Sequence, residues 1–360
     1  MIRYMENKRT NLVNNPASIR FILTGSCQSG CNFCHLEGNR PAGYLALHPD
    51  ISGWKEKSPY LPLLERLSYP AKSADVRFVV KLAKILKISK IHLTGGEPTL
   101  HPEVGKITKT LKSKGLHVAM TTHGEYATSV LEKMFIAGID AVIFSLHCAT
   151  AEEYLTMDLI AQDINEKFGL EKALLYAKTR LATKKASIIS CLQRSKKNKN
   201  FQTAANHVIR NAPAAIGIIK FCNEYGLDIR LQRNMNKPDE SNKVIEEITS
   251  VLNAKRISEE TGLYDSSLGG TIYEYRLKNG QKGSFRLKDF SSIYLPFMCN
   301  DCILKGTSKC RERFYGIRVQ HGYVRLCIDR HDEKVLYDYE NFLANKNAVL
   351  TQLKRQYRVS

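Results

Sequence analysis

Hydrophobic and polar positions along the first two thirds of the chain follow two alternating periods. Short apolar runs typical of strands are separated by segments in which apolar residues recur at helical spacing. The runs predict strands at residues 19–23, 88–93, 116–120, 141–146, 204–209 and 229–232. The segments predict helices at residues 77–86, 104–114, 129–137, within 169–192 and at 215–225. This alternation predicts an α/β fold, with a parallel sheet covered by helices.

About six strand–helix units fit between residues 20 and 236, fewer than the eight of a closed barrel. The pattern changes after residue 236, where a polar stretch contains a helix near 244–252. Two period-two segments, 271–277 and 283–287, then flank an Asn-Gly pair and predict a β-hairpin. A final helix is expected over residues 339–356.

Length and composition narrow the class of protein. The chain has 360 residues, of which 43% are hydrophobic, enough for a sizeable core. It lacks a run of about 18 apolar residues, so no membrane span is expected. Its first residues do not look like a signal peptide, which leads us to expect a cytoplasmic location. In a reducing compartment, clustered cysteines are more often metal ligands than disulfides, and we interpret the scattered Cys148, Cys191 and Cys222 as core residues.

The net charge of +19 favours anionic partners, and part of it is concentrated in one segment. Residues 172–223 contain eleven Lys or Arg and no Asp or Glu. One interpretation is a solvated surface, and the other is a contact surface for phosphate or RNA. No nucleic-acid-binding motif accompanies the segment.

Three closely spaced cysteines are the strongest chemical signal. Cys27, Cys31 and Cys34 have the spacing C-x3-C-x2-C. Three thiolates can hold three irons of a [4Fe–4S] cluster and leave the fourth iron open to a small molecule. A zinc site with His35 as fourth ligand is the alternative, but zinc would not explain the Gly-Gly-Glu-Pro turn at residues 95–98.

The triad and this turn, with the stretches at residues 22–27, 93–100, 121–124 and 144–147, resemble radical S-adenosylmethionine (radical SAM) enzymes. Within them, the chain most resembles the GTP 3′,8-cyclase family of molybdenum-cofactor biosynthesis. The resemblance implies a partial (βα)6 barrel of the TIM type and a small C-terminal iron–sulfur domain. It implies that SAM binds the open iron and is cleaved reductively to a 5′-deoxyadenosyl radical, which abstracts hydrogen from a substrate.

The resemblance also implies which residues contact SAM. These cofactor-binding candidates are Phe33, Gly95, Gly96, Glu97, Ser145 and Met235. The backbone around Gly96 would face the amino end of SAM, and Glu97 would stabilise either the turn or the ammonium group. Phe33 as a core residue, Ser145 as a strand-end cap and Met235 as a gap-filler remain alternatives.

A second cysteine group follows the predicted hairpin. Cys299, Cys302 and Cys327 match by resemblance the ligands of an auxiliary [4Fe–4S] cluster. Cys310 is extra, and it would be a fourth ligand, a free thiol or a ligand only in a resting state. A four-cysteine zinc site is the alternative.

The candidate substrate side departs from the cyclase pattern. His92 and Ala204 replace family basic residues, whereas Arg20 and Thr121 match family substrate contacts. Arg230 and Arg233 are further candidate anion contacts, with structural salt bridges as the alternative.

We therefore predict a radical SAM enzyme that acts on a small, anionic or nucleotide-like substrate by cyclisation, carbon–carbon bond formation or rearrangement. Its electron donor would be a flavodoxin or ferredoxin. The alternatives are modification of a peptide or RNA, and a non-catalytic iron–sulfur or zinc protein that binds nucleic acid. The expected division is an extension (1–18), a partial barrel (19–236), a linker with helix and hairpin (237–298), an auxiliary-cluster region (299–331) and a C-terminal helix (332–360).

Overall fold

The computed structural model describes most of the chain, with gaps. The described residues are 18–34, 69–126, 128–234, 237–264, 267–277, 280–288, 296–305, 317–328, 330, 332 and 334–357. Met235, Cys310 and the alternative zinc ligand His35 lie outside them.

One mixed sheet of twelve strands organises these residues, in the order β12-β11-β10-β1-β2-β3-β4-β5-β6-β9-β8-β7. The strands are β1 (Ile19–Thr24), β2 (Lys90–Gly95), β3 (His117–Thr122), β4 (Ala141–Ser145), β5 (Gln202–Val208), β6 (Asp228–Gln232), β7 (Lys255–Tyr264), β8 (Ser267–Arg276), β9 (Lys282–Lys288), β10 (Ile317–Gln320), β11 (Tyr323–Arg325) and β12 (Leu336–Asp338). Strands β1 to β6 run parallel in sequential order, which confirms the predicted fold class.

Helices follow the parallel strands, as the alternating pattern predicts. They are α1 (Ser73–Leu86), α2 (Val104–Ser113), α3 (Thr128–Ile136), α4 (Ala151–Met157), α5 (Leu159–Phe168), α6 (Leu170–Lys197), α7 (Ala212–Tyr225), α8 (Pro238–Val251), α9 (Pro296–Cys299) and α10 (Tyr339–Tyr357). A short 3₁₀ turn lies at Pro98–Leu100. No helix in the described part of the chain is both long and apolar enough to cross a membrane.

The sheet has an apolar face under the helices and a more polar inner face. On the apolar face, Phe21, Met120 and Phe144 are fully buried in one continuous core. Because successive side chains of a strand point to opposite faces, Arg20 and Thr121 lie on the inner face.

The C-terminal third extends this sheet at both of its edges. Strand β9 pairs in parallel with β6 and forms the predicted hairpin with β8. Strand β10 pairs in parallel with β1, at the opposite edge, and continues into β11 and β12. The predicted domain boundaries therefore fall within a single continuous sheet.

The sequence pattern missed helices α4 and α5, because α4 has only seven residues and α5 buries only the small Ala161, so neither shows a clear apolar face. Their caps are nevertheless visible: the side chain of Thr150 accepts from the N–H of Glu153, and that of Asp158 accepts from the N–H of Ala161. The interpretation of the basic segment as solvated surface is wrong for Lys184, whose side chain is 3% exposed in α6.

Candidate iron–sulfur and S-adenosylmethionine site

The three N-terminal cysteines lie in the loop that leaves the C-terminal end of β1. Cys27, Cys31 and Cys34 form no disulfide with another described residue and are partly exposed. Strands β2, β3 and β4 end at the same edge of the sheet, where parallel α/β folds build their sites. Three accessible soft ligands are suited to iron.

The Gly-Gly-Glu turn after β2 docks directly on the segment that leads to Cys27. The N–H of Gly96 donates to the carbonyl of Thr24, and the N–H of Glu97 donates to the carbonyl of Ser26, both at 2.8 Å. A Cβ at position 96 would come within 2.2 Å of the Ser26 carbonyl oxygen, so only glycine permits this approach. An ammonium group only donates hydrogen bonds, so the amino group of a bound SAM would have to meet carbonyl oxygens of this turn.

The Glu97 carboxylate stabilises this turn by accepting several hydrogen bonds. One carboxylate oxygen accepts from the backbone and hydroxyl of Thr99, at 3.0 and 2.6 Å, and from the hydroxyl of Thr122 at 2.8 Å. The other oxygen accepts from the N–H of His123 at 2.8 Å. Glu97 is buried, so these contacts support its turn-stabilising role over contact with an ammonium group.

The cysteine loop is also fastened to the junction of α4 and α5. The N–H of Gly30 donates to the Asp158 carboxylate at 2.7 Å, and the N–H of Leu159 donates back to the Gly30 carbonyl at 2.9 Å. The N–H of Asn32 donates to the carbonyl of Met157 at 3.0 Å. The loop is thus held by a second set of contacts in addition to those of the glycine turn.

A buried ionic cluster, formed by Glu125, Arg180, Lys184 and Tyr154, lies beneath the cysteine loop. The Glu125 carboxylate is 2.7 Å from Arg180 Nε, 2.9 Å from Lys184 Nζ and 3.1 Å from the Tyr154 hydroxyl. Burial would raise the pKa of Glu125, but the charges of Lys184, His123 and Arg180 outweigh it and lower that pKa to about 2. Glu125 is therefore an anion at neutral pH.

The predicted SAM contacts Phe33 and Ser145 lie at this edge. The ring of Phe33 meets His147 edge-on, with centroids 4.8 Å apart, and the Arg210 guanidinium lies 5.8 Å from the Phe33 centroid. Ser145 ends β4, and its carbonyl accepts from Lys184 Nζ at 3.3 Å. Both residues are partly exposed, so each can contact a bound ligand.

The substrate candidates divide into two groups. Arg20, Thr121 and Arg230 occupy inner-face positions of β1, β3 and β6, and Thr121 Oγ1 is 2.7 Å from His92 Nε2. Arg233 lies beyond β6, and its Nε donates to the Asn242 side chain on α8 at 2.8 Å. The structure therefore gathers the first three on one face and directs Arg233 to a helix.

Two further buried arginines continue the row that begins at Arg20, and sequence reasoning did not identify either as a site residue. Arg20 pairs in register with Arg318 on β10, and Arg318 pairs with Arg325 on β11. Arg318 and Arg325 are fully buried. The Arg325 guanidinium donates to the Gln320 side chain at 2.6 Å and to the carbonyl of Ile328 at 3.1 Å, next to Cys327.

The second cysteine group is placed by partly exposed ion pairs. Cys299 and Cys327 are buried, and Cys302 is partly exposed. Arg330 donates to the carbonyl of Met298 and is 3.2 Å from Asp301, which also pairs with Lys334. These contacts connect the Cys299–Cys302 segment to the residues after Cys327.

In the described ranges, no three or more His, Cys, Asp or Glu side chains are arranged to hold a metal ion. Each single-zinc alternative includes a residue outside the described ranges, His35 or Cys310, so this finding tests neither of them. A [4Fe–4S] cluster does not require such convergence, because each cysteine binds a different iron.

The exposed end of the basic segment is far from this site. Helix α6 comes after the elements at the C-terminal edge of the sheet. It runs for 28 residues back towards the opposite edge, where β5 starts. At about 1.5 Å per residue, the helix is about 42 Å long. Residues 194–200 therefore lie beside the N-terminal edge of the sheet, away from the cysteine loop.

Comparison with known proteins agrees with this arrangement. Residues 21–174 match the radical SAM superfamily, so the chain contains a radical SAM domain. A probable GTP 3′,8-cyclase of Saccharolobus solfataricus is 25% identical over 210 residues, which cover 56% of this chain and 59% of that protein. One from Metallosphaera sedula is 28% identical over 214 residues, which cover 58% of this chain and 53% of that protein. The chain thus spans little more than half the length of these curated relatives.

Solved structures show weaker likenesses. The enzyme anSMEcpe with bound AdoMet and a Kp18Cys peptide has a TM-score of 0.47 at 15% identity and covers 96% of this chain and 84% of its own. Streptococcus suis SuiB bound to precursor peptide SuiA has a TM-score of 0.41 at 14% identity, covering 67% of this chain and 48% of its own. TYW1 with a lysine-pyruvate adduct has a TM-score of 0.35 at 17% identity, covering 68% of this chain and 75% of its own.

Proposed function

We propose that this protein is a radical SAM enzyme that abstracts hydrogen from a small anionic substrate held on the inner face of its sheet. The radical SAM domain implies a [4Fe–4S] cluster and SAM, and the proposal places the cluster on Cys27, Cys31 and Cys34. The single observation that carries this placement is the docking of the Gly95-Gly96 turn on the segment before Cys27.

The chemistry divides between the cofactors and the chain. When bound, the cluster and SAM supply reductive cleavage of SAM and so a radical that removes a hydrogen atom. The chain holds the thiols partly exposed, presents carbonyl oxygens of the glycine turn to the SAM amino group, and offers Phe33 and Ser145 at the rim. Met235 remains a proposed contact beside the adenine.

The charge of the inner face supports an anionic substrate. Buried or half-buried cations occupy inner-face positions of the parallel strands: Arg20, Arg230, Arg286, Lys288 and Arg318. The only carboxylate in the parallel strands β1–β6, β9 and β10 is Asp228, which is exposed at the first position of β6. A face with this charge favours phosphate or carboxylate groups, and the proposal includes Thr121 as a contact of the same ligand.

We further propose an auxiliary [4Fe–4S] cluster on Cys299, Cys302 and Cys327, with Cys310 as the candidate for a fourth ligand. Strand β10 supports this assignment, because its pairing with β1 brings the Cys327 segment to the same sheet as the first site. A small-molecule substrate and a flavodoxin- or ferredoxin-type electron donor complete the proposal.

The test is anaerobic reconstitution with iron and sulfide, followed by dithionite and SAM. The proposal predicts release of 5′-deoxyadenosine and methionine, and loss of both products in Cys27→Ala. Protein that contains about eight irons but never cleaves SAM would contradict the catalytic assignment. Inner-face variants Arg20→Ala and Arg230→Ala should retain SAM cleavage while weakening binding of the anionic substrate.

A further inference from the structure

We propose that Glu125, held by Arg180 and Lys184, is a positioning residue that keeps the loop between Cys27 and Cys31 in the conformation that binds the cluster. This inference rests on the proposed function, because it presumes a cluster on Cys27, Cys31 and Cys34. It gives a role to Glu125, which follows β3, and to Arg180 and Lys184, which lie in α6. No sequence motif identifies these three residues.

The contacts of Glu125 go to the residues between the first two thiols. Its carboxylate accepts from the Ser29 hydroxyl at 3.3 Å, and its backbone carbonyl accepts from the Gln28 side chain at 3.0 Å. Arg180, which is paired with Glu125, donates from Nη2 to the carbonyl of Gln28 at 3.0 Å. Two of the three residues between Cys27 and Cys31 are thus fixed by one ion pair.

Lys184 extends this arrangement to the end of β4. Its Nζ is 2.9 Å from Glu125 and 3.3 Å from the carbonyl of Ser145, a proposed SAM contact. A single buried cluster of charges therefore sets the cysteine loop and the end of β4 relative to each other. Outer-shell contacts of this kind orient ligands and tune the affinity of metal sites.

Burial restricts how the charged side chains of this cluster can rearrange. The Glu125 and Lys184 side chains are 1% and 3% exposed, and a buried charge is tolerated only with its partners in place. Loss of the Glu125 charge would leave Lys184 and Arg180 without their anion, and the two cations would no longer converge below the loop. Ser29 would lose its charged acceptor, and Arg180 would no longer be held at the Gln28 carbonyl, although the Glu125 backbone carbonyl would still accept from the Gln28 side chain.

The experiment compares Glu125→Gln with Asp140→Asn after anaerobic reconstitution. Asp140 is a matched control, because it pairs with Lys112 at 2.7 Å and accepts from the N–H of Val118 at 2.7 Å, at the N-terminal edge of the sheet. Iron loss to a chelator is followed at fixed pH, and the phase missing in Cys27→Ala identifies the N-terminal cluster. The unfolding midpoint of each apoprotein is measured in parallel.

We expect Glu125→Gln to speed loss of the N-terminal cluster about tenfold or more, while Asp140→Asn leaves that rate unchanged. Iron loss from Glu125→Gln at the wild-type rate would overturn the proposal. So would equal acceleration in Asp140→Asn at an equal drop in unfolding midpoint, since that result indicates general destabilisation.

A conservative variant keeps the test decisive if Glu125→Gln does not fold. Arg180→Lys retains the charge but shortens the reach to the Gln28 carbonyl, so we expect a smaller acceleration with an unchanged unfolding midpoint. A wild-type rate in Arg180→Lys would contradict the positioning role. Failure of the wild-type protein to take up any cluster at Cys27 would instead remove the proposed function itself, which distinguishes the two failures.

Discussion

The two cysteine regions of this molecule are held by different kinds of contact. The N-terminal loop is joined to the glycine turn, to Asp158 and to the buried pair of Glu125 and Lys184. In the C-terminal group, the described charge pairs that join the Cys299–Cys302 segment to the residues after Cys327 are those of Asp301, whose side chain is half exposed. Buried charge pairs respond strongly to the loss of one partner, whereas exposed pairs contribute little. Breaking a described charge pair at the first site should therefore cost the fold more than breaking the Asp301 pairs at the second.

The largest difference between the regions should appear when their ligands are removed. Cys27→Ala should lose about four irons and all SAM cleavage, because the proposed open iron disappears. Cys327→Ala should also lose about four irons but retain cleavage of SAM in the absence of substrate. Iron analysis and product chromatography test both statements. The control Cys222→Ala, a buried core cysteine in α7, should change neither.

The ionic contacts offer the next comparison. Lys184→Met should lower the free energy of unfolding by about 3–5 kcal/mol, since it leaves the buried Glu125 with one cation fewer. Lys334→Met, which removes the partly exposed partner of Asp301, should change stability little. Chemical denaturation of the two apoproteins measures the difference. Equal losses in the two variants would contradict the contrast drawn between the regions.

Glycine replacements should have a smaller effect. Gly96→Ala should lower the free energy of unfolding by about 1–3 kcal/mol and weaken SAM binding, because its Cβ would collide with the Ser26 carbonyl. Gly217→Ala, in α7 with open space around its Cβ, should raise stability by about 0.5–1 kcal/mol. Denaturation and equilibrium SAM binding give the two values. An unperturbed Gly96→Ala would show that the turn does not need its close approach.

The smallest expected effect is a difference in thiol labelling between exposed and buried cysteines. Cys27, Cys31 and Cys34 are partly exposed in the apoprotein and should react with iodoacetamide. Burial raises the pKa of Cys148 to about 11 and that of Cys222 to about 12, so these thiols should remain unmodified at pH 8. Peptide mass spectrometry identifies the labelled positions, and early labelling of Cys148 would contradict its place in the core.

The sequence predicted the parts of this site that depend on local pattern. Apolar runs located the parallel strands, and the spacing of Cys27, Cys31 and Cys34 located the thiols at the end of β1. The structure also confirms Cys148, Cys191 and Cys222 as buried core residues.

The supporting contacts could not be predicted in the same way, since they join distant positions. Ser29 meets Glu125 across 96 residues of sequence, and Arg180 meets Gln28 across 152. A lone Lys184 in a basic helix looks like a solvated charge until the fold brings Glu125 beside it. The strands β10 and β11 were likewise too short to reveal that Arg318 would lie buried beside Arg20, and Arg325 beside Arg318.

The most direct test of the central claim is the electron paramagnetic resonance spectrum of the dithionite-reduced protein with and without SAM. If Cys27, Cys31 and Cys34 leave one iron open for SAM, addition of SAM should shift the signal of the N-terminal cluster and leave any auxiliary signal unchanged. The shift should be absent in Cys27→Ala. A spectrum that SAM does not alter, in protein with a full complement of iron, would contradict the account.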